Sequence, residues 1–184
     1  MIRIALLCVA ALCAGPGFAK VEIEAAEQKN LGAILIAKVS EEIAPGDYET
    51  LLRGLRQHPG QFARKIVLLD SIGGSAAEAM RMGRLLRETG FDTLVPANGV
   101  CQGSCVYLLA AGHRKMIRGH VGLHRPHRAA GESAQAHLAG RPGNPVDYFR
   151  DMGVAPDLAA DMLATEPQHM RVLNEQDIRR YRLN

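Results

Sequence analysis

Two side chains in the middle of the sequence, Ser104 and His124, have the chemistry and settings that nucleophilic catalysis uses. Ser104 follows Gly103 where a turn is predicted to meet an apolar helix, so the first N–H groups of that helix have no partner within it. Such a terminus favours developing negative charge, and a free N–H can bind an oxyanion. Simple capping of the helix by Ser104 is the alternative, and local sequence alone favours it.

His124 ends a predicted apolar strand, directly before Arg125. A histidine in that position can serve as a general base for Ser104 if the two strands that carry them are neighbours. A purely structural histidine is the alternative. His120 and His127 are close enough in sequence to form a loose cluster with His124, but the prediction is a chain without a metal site and without a cofactor.

A glycine turn, Ser71-Ile72-Gly73-Gly74-Ser75, follows another apolar strand. Two successive glycines let the backbone approach a ligand closely, and a helix is predicted to begin just after them. Ordinary tight turns also use glycine, so the motif alone does not establish a site. It is not a dinucleotide-binding fingerprint, because the third glycine is absent.

The first nineteen residues are predicted to be a signal peptide. Arg3 supplies a positive charge, residues 4–14 are apolar, and Gly17-Phe18-Ala19 has the small-x-small pattern of a cleavage site. The apolar run is shorter than the roughly 20 residues that span a bilayer, so a membrane anchor is the less favoured alternative. We therefore expect export, to the periplasm of a bacterium, and no membrane span in the mature chain.

Two of the four cysteines, Cys8 and Cys13, belong to this leader, and a leucine before each argues against lipidation. The other two, Cys101 and Cys105, are four residues apart on either side of Ser104. A disulfide between them is compatible with this spacing and with an oxidising compartment. Two buried free thiols are the alternative. Zinc is disfavoured, because no second ligand pair is evident.

Composition and periodicity predict one α/β domain at residues 31–184, preceded by a mobile segment at 20–30. The chain has 184 residues, of which 47% are hydrophobic and 4% aromatic. The formal charge of +3 is small and its basic residues are scattered, which argues against nucleic-acid binding. A long surface loop is expected at 127–144. The predicted strands are 31–39, 65–69, 93–96, 116–117, 121–123 and 170–173, and the predicted helices begin near 47, 76, 104, 145, 156 and 175.

This order of strands, glycine motifs and helices resembles the proteolytic subunit of Clp-type proteases, and more closely its exported relatives in the Clp and crotonase superfamily. The resemblance covers residues 31–126 and resumes weakly near 173–183. It implies a stack of β-β-α spiral turns with a mostly parallel sheet flanked by helices. The active site of the family lies between these turns.

The resemblance also implies a role for individual residues. Ser104 matches the nucleophile, His124 the general base, and Gly73 and Cys105 the residues whose N–H groups form the oxyanion hole. Substrate would lie extended beside a strand edge near residues 74–76.

The acidic member of the family's triad has no counterpart, because Met170 occupies its place. The third member is therefore unknown, and Glu166, Asp147 and Asp151 are the weak candidates. The long helix that builds rings in the family is also replaced, by the loop 127–144 and two short helices.

Two functions follow from these matches and departures. The first is an exported serine peptidase or esterase, and the second is a catalytically impaired binding or assembly module. A crotonase-like acyl-CoA enzyme is less favoured, since little coenzyme A is present outside the cytoplasm. The expected partner is a peptide or protein substrate. Self-association stays open, and no ATP-driven unfoldase is expected, because an exported protein meets no ATP.

Overall fold

The computed structural model describes residues 20–125 and 144–184. The predicted signal peptide and residues 127–143 of the predicted loop lie outside the described residues. The strands are β1 Lys20–Gln28, β2 Gly32–Ile43, β3 Arg64–Gly74, β4 Asp92–Val95, β5 Val100–Gln102, β6 Lys115–Ile117, β7 His120–Leu123 and β8 Arg171–Val172. The helices are α1 Asp47–Gln57, α2 Ala76–Glu88, α3 Cys105–Ala111, α4 Pro145–Asp151, α5 Asp157–Ala164 and α6 Glu175–Tyr181, with a 3-10 turn at Pro167–His169.

The strands of the described residues form one mixed, mostly parallel sheet of eight strands. Strands β2 to β7 pair in parallel, and the two outermost pairs, β1 with β2 and β7 with β8, are antiparallel. This arrangement confirms the predicted α/β class, in which helices connect parallel strands.

The sheet divides at β3. The first half of β3 pairs with β4, and β4 pairs with β6. Near its end, β3 pairs with β5 through Ser71 and Cys101, and β5 continues to β7 and β8. The second branch brings the ends of β3, β5 and β7 together. Gly74 is the last residue of β3, and Ser104 and His124 follow β5 and β7.

The segment 20–30, predicted to be mobile, contains a nine-residue strand instead. Strand β1 pairs with β2 along its whole length, from Lys20 opposite Ser40 to Gln28 opposite Gly32. Val21 and Ile23 alternate with glutamates and pack against the core, where the Ile23 side chain lies against Gly54 of α1. A short alternation of apolar and charged residues is typical of a strand with one buried face, but it is difficult to recognise in a segment that is polar as a whole.

The core holds α3 rigidly, because all seven residues of this helix are buried. Its Tyr107 ring stacks on Phe149 and meets Tyr148 edge to face, at centroid distances of 5.0 and 5.5 Å. The buried Tyr148 hydroxyl donates to the Tyr107 carbonyl over 2.8 Å, and burial raises the Tyr148 pKa. Helix α4 thereby fixes α3, whose first residue follows Ser104.

Within the described residues, no helix has the length and apolar character needed to cross a membrane.

Candidate active site

Ser104 lies at the N-terminal end of α3 and is fully buried. Its side chain makes no capping hydrogen bond to the helix, so the capping interpretation does not describe this structure. The hydroxyl instead donates to the Gly74 carbonyl over 2.8 Å. A hydroxyl has one proton, and the Ser104 proton is therefore directed to β3 rather than to an imidazole.

His124 follows β7 and is 7% exposed. Its Nδ1 lies 3.0 Å from the carbonyl oxygen of Arg125. A carbonyl can only accept, so Nδ1 carries the proton of the neutral ring and Nε2 carries the lone pair. This is the tautomer that a general base toward Ser104 requires.

Pairing of β5 with β7 brings the histidine to the serine turn. Gln102 lies opposite Gly122, and the Gly103 N–H donates to the Gly122 carbonyl over 3.0 Å. The imidazole rests directly on Gly103, where a Cβ would lie 2.5 Å from Cε1 and 2.7 Å from Nε2 of His124. Gly103 also has a φ of +51°. Glycine is thus required both by the backbone and by the ring that lies on it.

The predicted oxyanion residues meet at the end of β3. Gly73 has a φ of +97°, and a Cβ there would lie 2.7 Å from the Gln102 carbonyl oxygen and 3.1 Å from the Ser104 nitrogen. Its N–H donates to Ser71 Oγ over 3.2 Å, and that hydroxyl donates to the Glu41 carbonyl over 2.5 Å. A Gly73 N–H that binds an oxyanion must therefore leave Ser71.

Cys105 is the first residue of α3, and no described residue accepts a hydrogen bond from its backbone N–H. The first N–H groups of a helix have no intrahelical acceptor, so the Cys105 N–H is the one already available to an oxyanion.

Cys101 and Cys105 form a disulfide, which resolves the alternative left open by the sequence. Both residues are fully buried. The bond joins β5 to the start of α3 and encloses Gln102, Gly103 and Ser104. It thereby restricts the turn that carries the serine.

Each of the three carboxylate candidates for the third triad member forms an ion pair with an arginine. Glu166 pairs with Arg125 over 3.0 Å, Asp147 with Arg150 over 2.6 Å, and Asp151 with Arg84 over 3.1 Å. His124 Nδ1 donates to the backbone carbonyl of Arg125 and not to any of these carboxylates.

Met170 lies over β7, because a Cβ on Gly122 would come within 2.5 Å of its Sδ. It also lines the same groove as His124. A thioether cannot accept a strong hydrogen bond from an imidazole, and it carries no charge.

An open groove of about 630 Å³ lies above these residues. Ile72 and Met170, which are 55% and 38% exposed, supply apolar surface to the groove. Its described lining residues are Glu42, Ile72, Gly73, Gly74, Gln102, His124, Pro167, Gln168 and Met170. Ser104 is buried beneath this surface, next to Gly73.

In the described part of the chain, His120 does not join His124 to form the loose cluster that their spacing in the sequence allows. His120 is exposed at the opposite end of β7, and His127 lies outside the described residues. Among residues 20–125 and 144–184, no group of three His, Cys, Asp or Glu side chains is placed to hold a metal ion.

Three contributors to the site are missing from the sequence-based prediction: the Arg125 carbonyl, the Ser71 hydroxyl and Gly103. Ser71 is part of the glycine motif, and that membership was its only signal. Gly103 directly precedes Ser104, and this position next to the candidate nucleophile was the only signal that its lack of a side chain has a role. A backbone carbonyl has no sequence signature, so the partner of His124 could not be identified from residue types.

Searches against models of known protein families and against curated proteins find no match for this chain.

Proposed function

We propose that this protein is an exported serine hydrolase, a peptidase or esterase of Clp-like type, in which Ser104 is the nucleophile and His124 the general base. The observation that carries the proposal is the position of the imidazole. It lies against Gly103, the neighbour of Ser104, and Nδ1 donates to a carbonyl, which makes Nε2 the unprotonated nitrogen of the neutral ring.

The first step is a rotation of the Ser104 side chain away from the Gly74 carbonyl. The hydroxyl oxygen then attacks the substrate carbonyl while Nε2 of His124 takes its proton. Negative charge on the substrate oxygen is stabilised by the Cys105 N–H and by the Gly73 N–H once the latter leaves Ser71. His124 returns the proton to the leaving amine or alcohol.

The acyl-enzyme is released by water in a second cycle of the same steps. His124 accepts a proton from the water, the new tetrahedral centre collapses, and Ser104 leaves with the proton restored. Each step uses residues from the branch of the sheet formed by β3, β5 and β7.

The Arg125 carbonyl performs only part of the task of a triad carboxylate. It selects the tautomer in which Nε2 is unprotonated, but it has no full charge to stabilise the imidazolium that forms. Loss of the carboxylate in a serine triad costs about 10⁴ in rate when the wrong tautomer results. Because the tautomer is correct here, we expect slow turnover with a smaller deficit.

The remaining parts of the proposal concern fold family and location. A mostly parallel sheet that splits into two branches at β3, with helices between several of the successive strands, supports a Clp-like spiral. A buried disulfide beside the nucleophile supports export to an oxidising compartment. The substrate would lie extended in the groove beside residues 72–74, with peptides or proteins as the substrate class.

Hydrolysis of chromogenic esters of increasing acyl length tests this function. Wild-type protein should hydrolyse at least one of them, and Ser104→Ala and His124→Ala should each abolish the activity while Ser40→Ala retains it. Equal rates for wild type and Ser104→Ala would reject Ser104 as the nucleophile. Circular dichroism of each variant provides the control for folding.

A binding or assembly module is the second candidate, and one observation favours it. The Ser104 hydroxyl is fully buried and bonded to the Gly74 carbonyl, while the Gly73 N–H is bonded to Ser71. Both groups are thus satisfied without a substrate. Specific peptide binding without any ester or peptide hydrolysis would support this candidate.

A further inference from the structure

We propose that the groove selects a peptide with a lysine or arginine close to the scissile bond, and that Glu42 is the residue that selects it. The inference rests on the proposed function in treating the groove as the substrate site. It adds a specificity-determining residue and a charge class of substrate. Neither follows from the serine and histidine.

The geometry of β2 explains how Glu42 enters the groove. The pairing of β2 with β3 shifts register between Glu41 and Glu42, so that Glu42 lies opposite Gly73 and Ile43 opposite Gly74. At this bulge Glu41 has a φ of +65°, a value that non-glycine residues seldom adopt. The extra residue of the bulge is Ile72 of β3, which has no partner in β2, and the irregular backbone of both strands at this point brings the side chains of Ile72 and Glu42 into the same groove.

The stem of Glu42 lies along the end of β3. A Cβ on Gly74 would come within 2.9 Å of Glu42 Cγ, so the absence of a side chain at 74 leaves room for this methylene. The carboxylate lines the groove, and no described residue forms a hydrogen bond or an ion pair with it. Its charge is therefore available to a ligand.

Glu42 is the one carboxylate among the described residues that line the groove. Gln102, Gln168 and the backbone at Gly73 supply uncharged hydrogen-bonding groups, and Ile72 and Met170 supply apolar surface. The chain as a whole has a formal charge of +3, which would disfavour a cation at long range. A preference for cations must therefore come from the local carboxylate.

The distances place this charge near the reacting carbonyl. Adjacent strands lie about 4.8 Å apart, so Glu42 is one strand spacing from Gly73, whose N–H belongs to the oxyanion hole. An extended substrate advances about 3.3 Å per residue. A long cationic side chain within about two residues of the scissile bond can thus reach Glu42.

Binding of peptides measures this preference directly. The probes are fluorescein-labelled neutral hexapeptides in which one position at a time is lysine or norleucine, which is similar in length and uncharged. Anisotropy is measured with Ser104→Ala protein, so that turnover does not interfere. At one central position lysine should bind about fivefold more tightly than norleucine, the factor expected of an exposed charge pair worth about 1 kcal/mol.

Three variants identify the source of the preference. In the Ser104→Ala background, Glu42→Gln should remove it, Glu42→Lys should reverse it, and Glu24→Gln on the distant strand β1 should leave it unchanged. Equal binding of lysine and norleucine peptides at every position, or no binding of any peptide, would overturn the inference. So would a preference that persists in Glu42→Gln.

The outcome separates this inference from the proposed function. Selective binding by protein whose wild type hydrolyses nothing would reject the hydrolase and retain the role of Glu42. Hydrolysis of esters or peptides without any preference for a cation would retain the hydrolase and reject the role of Glu42.

Discussion

Substitution of Gly103 by alanine should slow the reaction of Ser104, because the new side chain would displace the imidazole of His124. An alanine Cβ would lie 2.5 Å from His124 Cε1, whereas carbon atoms in contact are about 3.5 Å apart or more. The imidazole must therefore move by about 1 Å. A misplacement of about 1 Å can cost about 100-fold in rate, so we expect acylation of Ser104 to slow by about that factor.

The same substitution carries a backbone penalty, because residue 103 has a φ of +51°. A non-glycine residue in the left-handed region costs about 1–2 kcal/mol, which urea unfolding would detect. Gly153→Ala is the matched control. It has a φ of +72° and its nearest neighbour, an Arg87 nitrogen, is 4.0 Å from the Cβ position.

The assay compares the rate of phosphonylation by a fluorophosphonate with the free energy of unfolding for the two variants. Gly103→Ala should lose both reactivity and stability, while Gly153→Ala should lose stability alone. If Gly103→Ala reacts within about twofold of the wild-type rate, the position of His124 does not govern the reactivity of Ser104, and the proposed pair is wrong.

Three further predictions concern the disulfide, the vacant acid position and a buried carboxylate. Reduction of Cys101–Cys105, which closes a loop of sequence separation 4, should lower the free energy of unfolding by about 2 kcal/mol in urea titrations, and its buried sulfurs should resist reductant until the protein unfolds. Met170→Asp should raise the phosphonylation rate about tenfold or more over Met170→Asn if residue 170 occupies the place of the triad acid, whereas equal rates would contradict that placement. Burial raises the pKa of Asp47, so its carboxylate lowers stability at neutral pH, and the wild type should gain stability relative to Asp47→Asn as the pH falls toward about 4. Urea unfolding of both proteins at the two pH values checks the sign, and a relative loss on acidification would contradict it.

The arrangement of the middle of the chain could be predicted from its sequence because local patterns and tertiary packing agree there. Apolar runs punctuated by glycine indicate β3, β7 and the helices that follow the glycine motifs, and β7 and these helices lie close to the predicted bounds. Strand β3 instead continues to Gly74, so the segment predicted to be a glycine turn is paired with β2 over most of its length. The sequence does not predict strand β1, because Val21 and Ile23 alternate with Glu22 and Glu24 in a highly polar segment. Pairing with β2 supplies the stability that this segment does not have by itself.

The chemistry of the site was less accessible to sequence reasoning. Residue types identify Ser104 and His124 as candidates, and the structure brings their turns together through β5 and β7. The direction of the Ser104 hydroxyl and the partner of His124 Nδ1 depend on backbone carbonyls, which every residue has. The position of Glu42 depends on the bulge between β2 and β3, and no pattern of residue types predicts that bulge.

Location of a covalent adduct tests the central claim most directly. Protein treated with a fluorophosphonate is digested and mapped by mass spectrometry, in parallel with Ser104→Ala and His124→Ala. We predict one adduct per chain, on Ser104, and its loss in both variants. An adduct on another residue, or no adduct on wild-type protein that is shown to be folded, would contradict the assignment of Ser104 as a nucleophile activated by His124.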